Sequence, residues 1–289
     1  MIVVRIIGGL GNQMFQYAAG RALAARFNVP LKLDLRWMLR YRHREYLLDR
    51  FNLPVEQMTI PDCMKFTWFP FRRNPPFIFM KTIRWVNRFI YMEPSLAFNP
   101  AFFSLKSDCF LFGYFQSYRY FEGYEDLLRH DFSRAIDQSI YEKTWLEKVA
   151  EPGSIAIQFR RGDFVTDPAA SRSIGASSMD YYEKAVSQIR EKKKDAPLIV
   201  FSDDIDWCKA NVRFDNTVFI ERKGGSPVDD LLLAARCNHI ILANSSFSWW
   251  CAWLNRQPDK IAIAPKQWFR DEALNAQTTD LFPSDWIQL

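Results

Sequence analysis

The sequence predicts an α/β fold of two Rossmann-like halves, each built on a mostly parallel sheet. Three observations predict it. The chain opens strand, glycine turn, helix, strand. Its second half alternates short apolar runs with helical patterns. Its 289 residues, 48% hydrophobic and 25% charged, suffice for two compact domains with full cores.

The elements follow in order. Val3 to Ile7 is a β-branched run, and Gly8-Gly9-Leu10-Gly11 comes next. Phe15, Ala18, Ala19, Ala22 and Leu23 then recur on one helical face. PLKLDL, 30–35, reads as a second strand, so the opening is the β-α-β unit of a parallel sheet. The middle is less regular. Lys65 to Tyr91 holds six basic residues and no acid, interleaved with aromatics as in KFTWFPFRR. Such a segment docks on anionic lipid, offers a sugar or nucleic acid an aromatic basic surface, or packs as a helical excursion with its charges in water. LFGYFQSYRYFEGYEDLLRHDF, 111–132, leads into a helix, and a polar stretch then ends at Pro152-Gly153. That punctuation predicts a domain 1–150, with an excursion at about 60–105, and a second domain 151–289.

The second half repeats the rhythm. SIAIQF, PLIVF, NTVFI, HIILA and KIAIA read as strands, the last closing the series. MDYYEKAVSQIREKKK, PVDDLLLAARC and NSSFSWWCAWL read as helices, the second with two acids in its first turn as the helix dipole favours. In such sheets ligands sit beyond the carboxyl ends of the strands.

Composition excludes some chemistries. Five cysteines form no C-x-x-C pair and read as buried, reduced thiols of a cytoplasmic protein. Three isolated histidines offer no zinc spacing, so no metal is expected. The opening MIVVRIIGG is not a secretory leader, and no apolar run is long enough to span a bilayer. Aromatics at 16% either stack ligands or fill the core. A net charge of +5 favours anionic partners.

Three strand ends carry chemistry: QFRRGD, FSDD and ANSS. Alternation puts Gln158 and Arg160 on one face and Arg161 on the other, so one guanidinium can meet a phosphate while its neighbour braces the loop. Asn244, Ser245 and Ser246 precede a helix whose N–H groups can bind phosphate or simply be capped. Trp249, Trp250 and Trp253 lie at helical spacing and read as core. Asp204-Ile205-Asp206 is formally D-x-D, a pattern that can hold a divalent ion but equally starts a helix. A carboxylate of Asp203 or Asp204 can instead accept from a base or a ribose hydroxyl. Gly8-Gly9-Leu10-Gly11-Asn12 misses the G-x-G-x-x-G spacing of dinucleotide sites. Asn12 and Gln13 there either cap the helix or hydrogen-bond a sugar or phosphate.

Taken together, GGLGNQMFQYAAGRALA, GYFQSYRYF, FRRGDF, FSDDIDW and ILANSSFSWWCAWLN with IAPKQWF resemble the bacterial α-1,2-fucosyltransferases of glycosyltransferase family 11. The motifs keep their order over nearly the whole chain; 60–105 carry little of the likeness. The resemblance implies a GT-B-like arrangement of two Rossmann-like domains, an inverting, metal-independent reaction, GDP-L-fucose as donor and the 2-hydroxyl of a terminal galactose as acceptor. It implies that Arg160 meets the donor β-phosphate. Gln158 stands where relatives carry a histidine that helps hold the nucleotide. Asp203 or Asp204 would recognise guanine, Ser245 and Ser246 would touch the diphosphate, and Gly11 joins this donor-binding set. Asn12 would line the reaction centre. Asp163 is the candidate general base, or else a salt-bridge partner that holds an arginine.

Alternative readings are a fucosyltransferase of another linkage such as α-1,3, a non-enzymatic module displaying Arg161-Gly162-Asp163, and a nucleic-acid binder using residues 65–91. The reading adopted takes a GDP-sugar and a glycan as partners and no nucleic acid. Peripheral contact with the inner membrane face through 65–91 is a further expectation.

Overall fold

The computed structural model describes residues 1–40, 44–67 and 89–289. These form two compact units: Met1–Arg134 with Gln277–Phe282, and Ala135–Ala276 with Pro283–Leu289.

The first unit is a five-stranded sheet. Its strands are β1 (Ile2–Arg5), β2 (Leu31–Asp34), β3 (Glu56–Gln57), β4 (Ile90–Met92) and β5 (Cys109–Phe112). The order is β3-β2-β1-β5-β4, and every neighbouring pair is parallel. Ile2, Val3 and Val4 of the central strand are fully buried. Helix α1 (Leu10–Phe27) carries the chain from β1 to β2. It is buried well beyond the single stripe that its spacing suggests, with Met14, Phe15, Tyr17, Ala18 and Ala22 all inside. Asn28, left-handed at φ 50°, ends it. The buried Asp131 accepts from the Tyr17 hydroxyl at 2.7 Å and from Arg21 Nε at 2.8 Å, which ties the Glu125–Asp131 helix to α1. At the end of β2, burial alone would raise the Asp34 carboxyl. Arg36 and Arg5 outweigh it and hold Asp34 below its ordinary value.

The second unit is a six-stranded sheet of β6 (Ile155–Phe159), β7 (Leu198–Ser202), β8 (Thr217–Phe219), β9 (His239–Ile241), β10 (Ala262–Ala264) and β11 (Ile287–Gln288). The order is β11-β10-β9-β6-β7-β8, again parallel throughout. β6 is buried at every residue, and the strand order turns back on either side of it. That is the switch point at which open α/β sheets bind ligands. The Met179–Arg190 helix covers this sheet with Tyr181, Tyr182, Ala185, Val186 and Ile189. Residues before Pro152 also belong here. Tyr141 donates to Asp230 at 2.8 Å, and the Lys143–Ala150 helix lies on β7. Pro152-Gly153 thus stands inside the second unit, between that helix and β6.

Three features differ from the sequence expectation. KIAIA is not the last strand: β11 pairs beside β10 through Ile263 and Ile287. β4 and β5 come from aromatic runs too short to show a period. β3 has only two residues, both exposed, and carries no apolar signal. The basic segment 65–91 lies mostly outside the described residues, and with it the membrane and nucleic-acid readings. At its described start, Lys65 pairs with Asp108 at 2.9 Å.

No described helix is long and apolar enough to cross a membrane. Cys109, Cys208, Cys237 and Cys251 are buried, and burial raises each thiol, Cys208 to about 11. At neutral pH they are protonated and inert.

Candidate active site

All strands of the second sheet end at one edge, and three adjacent strands deliver the predicted chemistry. β6 runs into Arg160-Arg161-Gly162-Asp163, β7 into Asp203-Asp204, and β9 leads to Asn244-Ser245-Ser246. β6 is paired with both β7 and β9. Neighbouring ends therefore start about 5 Å apart.

Both arginines are engaged. Arg160 Nη2 is 2.5 Å from Asp163 Oδ1, and its Nη1 is 2.7 Å from Asp203 Oδ2. Its guanidinium lies 5.4 Å from the centre of the Phe164 ring. Arg161 pairs with Asp204 at 3.2 Å and stacks 3.7 Å over Trp207. The Arg161 backbone N–H donates to Asp203 Oδ1 at 2.9 Å. Arg161 is thus fixed to the scaffold. Arg160 is about a quarter exposed, 27%, and its two aspartates reach solvent to a similar extent. It can exchange a carboxylate for a phosphate. Asp163 is taken up by Arg160, a geometry that suits a salt-bridge partner better than a base open to a hydroxyl.

Gly162 leaves room for the Asp203 carboxylate. A Cβ at this position would stand 2.4 Å from Asp203 Oδ2. Asp204 has a second duty as N-cap of the Ile205–Asn211 helix, where it accepts from Trp207 N at 3.3 Å. The D-x-D pattern is therefore an acidic helix start. Among the described residues, no group of three or more His, Cys, Asp or Glu side chains is arranged to hold a metal ion.

Gln158 stands apart from this cluster. It is buried, and its Nε2 donates to Cys251 Sγ at 3.5 Å while its carbonyl accepts from the Tyr182 hydroxyl at 2.9 Å. It packs beneath the Ser246–Leu254 helix. Asn244 is also structural: Nδ2 donates to the carbonyls of Gly175 at 2.7 Å and Trp268 at 3.2 Å. Ser245 caps the helix by accepting from Phe247 N at 3.2 Å, and Ser246 is its partly exposed first residue. Trp249, Trp250 and Trp253 are core, joined by Trp286.

The remaining predicted residues lie in the first unit, at the carboxyl edge of its sheet. Gly11 and Asn12 occupy the first turn of α1. Gln13 is wholly used by the fold: it donates to the carbonyls of Gly8 and Glu45 and accepts from Leu47 N. Asn12 Oδ1 accepts from Gln116 Nε2 at 2.7 Å. The GYFQ and GGLGN motifs therefore meet in space. Glu93 also ends a strand at this edge and was not among the predicted residues. Its only sequence signal is weak: it is the first acid after Asp62, directly behind an aromatic run.

The sequence model of Glycosyl transferase family 11 matches residues 1–289. The chain is 34% identical to an Escherichia coli alpha-1,2-colitosyltransferase over 100% of this chain and 99% of that protein. It is 29% identical to the Escherichia coli O-antigen biosynthesis glycosyltransferase WbnK over 98% of each. It is 26% identical to the mouse galactoside 2-alpha-L-fucosyltransferase Sec1 over 88% of this chain and 64% of that one. In fold it is similar to the NodZ alpha-1,6-fucosyltransferase, with a TM-score of 0.51 at 14% identity over 91% of this chain and 94% of that one. That likeness agrees with two Rossmann-like units of the GT-B class. With the match running end to end, the chain belongs to glycosyl transferase family 11 and is a glycosyltransferase.

Proposed function

We propose that this enzyme moves L-fucose from GDP-L-fucose to the 2-hydroxyl of a terminal galactose on a glycan, with inversion and without a divalent metal. The observation that carries the reading is the cluster at the carboxyl ends of β6, β7 and β9. It presents one exchangeable guanidinium and one serine-capped helix start at a switch point. Family membership and the relative named for galactoside 2-alpha-fucosyl transfer support it.

The chemistry follows from charge. As the sugar leaves, negative charge grows on the diphosphate. Arg160 and the N–H groups at Ser246 stabilise that charge as a metal would. Asp163 and Asp203 hold the guanidinium in position before the donor arrives. Asp203 or Asp204 then accepts from the guanine or the ribose, and Ser245 completes the donor contacts. Asn12 meets the acceptor. The second unit takes the donor and the first the acceptor. The enzyme works in the cytoplasm, at the inner membrane face if residues 65–91 bind lipid.

A second reading keeps the machinery and changes the donor to a nucleotide-linked colitose. The 34% identity to a colitosyltransferase favours it. A panel of nucleotide sugars with lactose, run with and without EDTA, separates the two. The expected result is fucosyl transfer that survives EDTA, with a 1,2 linkage in the NMR spectrum of the product. Transfer of colitose alone selects the second reading, and loss of activity in EDTA overturns the metal-free mechanism.

Gly162→Ala tests the donor side. The added methyl drives Asp203 off Arg160, so GDP affinity is expected to fall on the order of tenfold in calorimetry. Unchanged affinity would separate Asp203 from the nucleotide.

A further inference from the structure

The carboxyl edge of the first sheet holds a chain of contacts that no established role absorbs. It starts at Glu93, just past β4, whose N–H still pairs with the Phe112 carbonyl at 2.9 Å. The Glu93 carboxylate accepts from Tyr114 N at 2.7 Å and from Phe115 N at 3.0 Å and 3.1 Å. Those amides belong to a strained turn. Phe115 is non-glycine at φ 53°, fully buried against Phe102 and Tyr120. The next residue is Gln116, whose Nε2 donates to Asn12 Oδ1 at 2.7 Å.

That last bond sets the direction of the Asn12 amide. With Oδ1 turned to Gln116, Nδ2 is the donor that Asn12 presents. Gly8 keeps room for it, since a Cβ there would lie 2.7 Å from Asn12 Nδ2. An amide donor held this way fits a sugar hydroxyl or ring oxygen. Gly113 likewise makes room for Glu93, because a Cβ there would lie 2.4 Å from Glu93 Cβ.

We propose that Glu93 is a positioning residue for the acceptor: through the 113–116 turn it places Gln116, and Gln116 orients the Asn12 amide that meets the acceptor sugar. This rests on the reading that Asn12 lies on the acceptor side. Glu93 accepts both backbone N–H bonds most strongly in its charged form. Burial raises its carboxyl to about 7, partly countered by the Phe115, Tyr114 and Tyr120 hydrogen bonds. The titratable groups facing it among the described residues are the phenols of Tyr114 and Tyr120, with Tyr91 beside Tyr120. Burial and the Glu93 charge push Tyr114 and Tyr120 above their ordinary range, so neither titrates near neutrality. The carboxylate fraction grows as pH rises through about 7, and acceptor use grows with it.

Two measurements on the full-length protein test this. In the first, NMR follows the backbone amides of Tyr114 and Phe115 and the side-chain amides of Gln116 and Asn12 as pH is raised from about 5 to about 9. All four signals are expected to move with one midpoint near 7 in the wild type and to stay still in Glu93→Gln. Still signals at Gln116 and Asn12 in the wild type overturn the proposal, whatever sugar the enzyme transfers. The second is steady-state kinetics with whichever nucleotide sugar the wild type turns over. Glu93→Gln, Glu93→Ala, Gly113→Ala and Gln116→Ala are each expected to lose on the order of ten- to a hundred-fold in kcat/KM for the acceptor. GDP binding and donor KM should stay within about twofold, and the rise with pH should flatten in Glu93→Gln. Equal losses for donor and acceptor, or an unchanged acceptor term, overturn it. Where Glu93→Ala fails to fold, the isosteric Glu93→Gln and the Gln116→Ala variant decide. Failure of the wild type to use GDP-fucose counts against the donor assignment only.

Discussion

Arg160→Ala is expected to lower kcat/KM for transfer on the order of a hundred- to a thousand-fold, the usual loss when one preorganised donor to a developing charge is removed. Stability should hardly change. The two ion pairs that disappear keep about a quarter of each side chain in solvent, and screening there leaves each worth on the order of 1 kcal/mol. Asp163 and Asp203 regain water when the guanidinium goes. Arg160→Lys should recover only part of the activity, because a point charge replaces a planar fork. The measurement is initial rate against donor concentration beside a melting curve. Near-normal turnover by the alanine variant would remove Arg160 from the mechanism; a collapsed melting curve would show instead that the cluster is structural.

Trp249→Ala is expected to cost about 3–5 kcal/mol of folding stability, the range for large aromatic truncations in a core. The indole is fully buried. It lies 5.0 Å from the Trp250 ring centre, 6.2 Å from Trp253 and 5.4 Å from Trp286. The same helix begins at Ser245 and Ser246, so the void undermines the mount of the proposed phosphate site. A melting temperature lower by roughly 10 °C should accompany the change. A shift of a degree or two would mean that the cluster relaxes to fill the space.

Much of the architecture could be read from the chain because its strands are β-branched and its turns glycine-rich. IVVR, IAIQF and LIVFS announce themselves, and the alternation with helices implies parallel pairing. β4, β5 and β11 could not be read that way. IYM and CFLF are aromatic runs without alternation, and IQ is stabilised only by pairing with β10. Within the cluster at β6 and β7, residue types were legible but partners were not. Nothing in the order of FRRGDF says that Arg160 would take Asp203 from the next strand as well as Asp163 from its own loop. Gln158 shows the limit of motif reasoning. Its position in the motif says nothing of its packing, and the side chain turns inward to Cys251. Glu93 was invisible because its partners are two backbone amides some twenty residues later.

The segment Gln277–Phe282 belongs to the first unit although most of the preceding chain forms the second. Ser117 donates to the Asp280 carbonyl at 2.7 Å, Arg119 pairs with the Asp280 side chain at 2.9 Å, and Leu96 N donates to Gln277 at 3.1 Å. A growing polypeptide on the ribosome therefore cannot finish its amino-terminal half first. The packing of Ser117 and Arg119, beside Gln116, is complete only once residues 277–282 have been made.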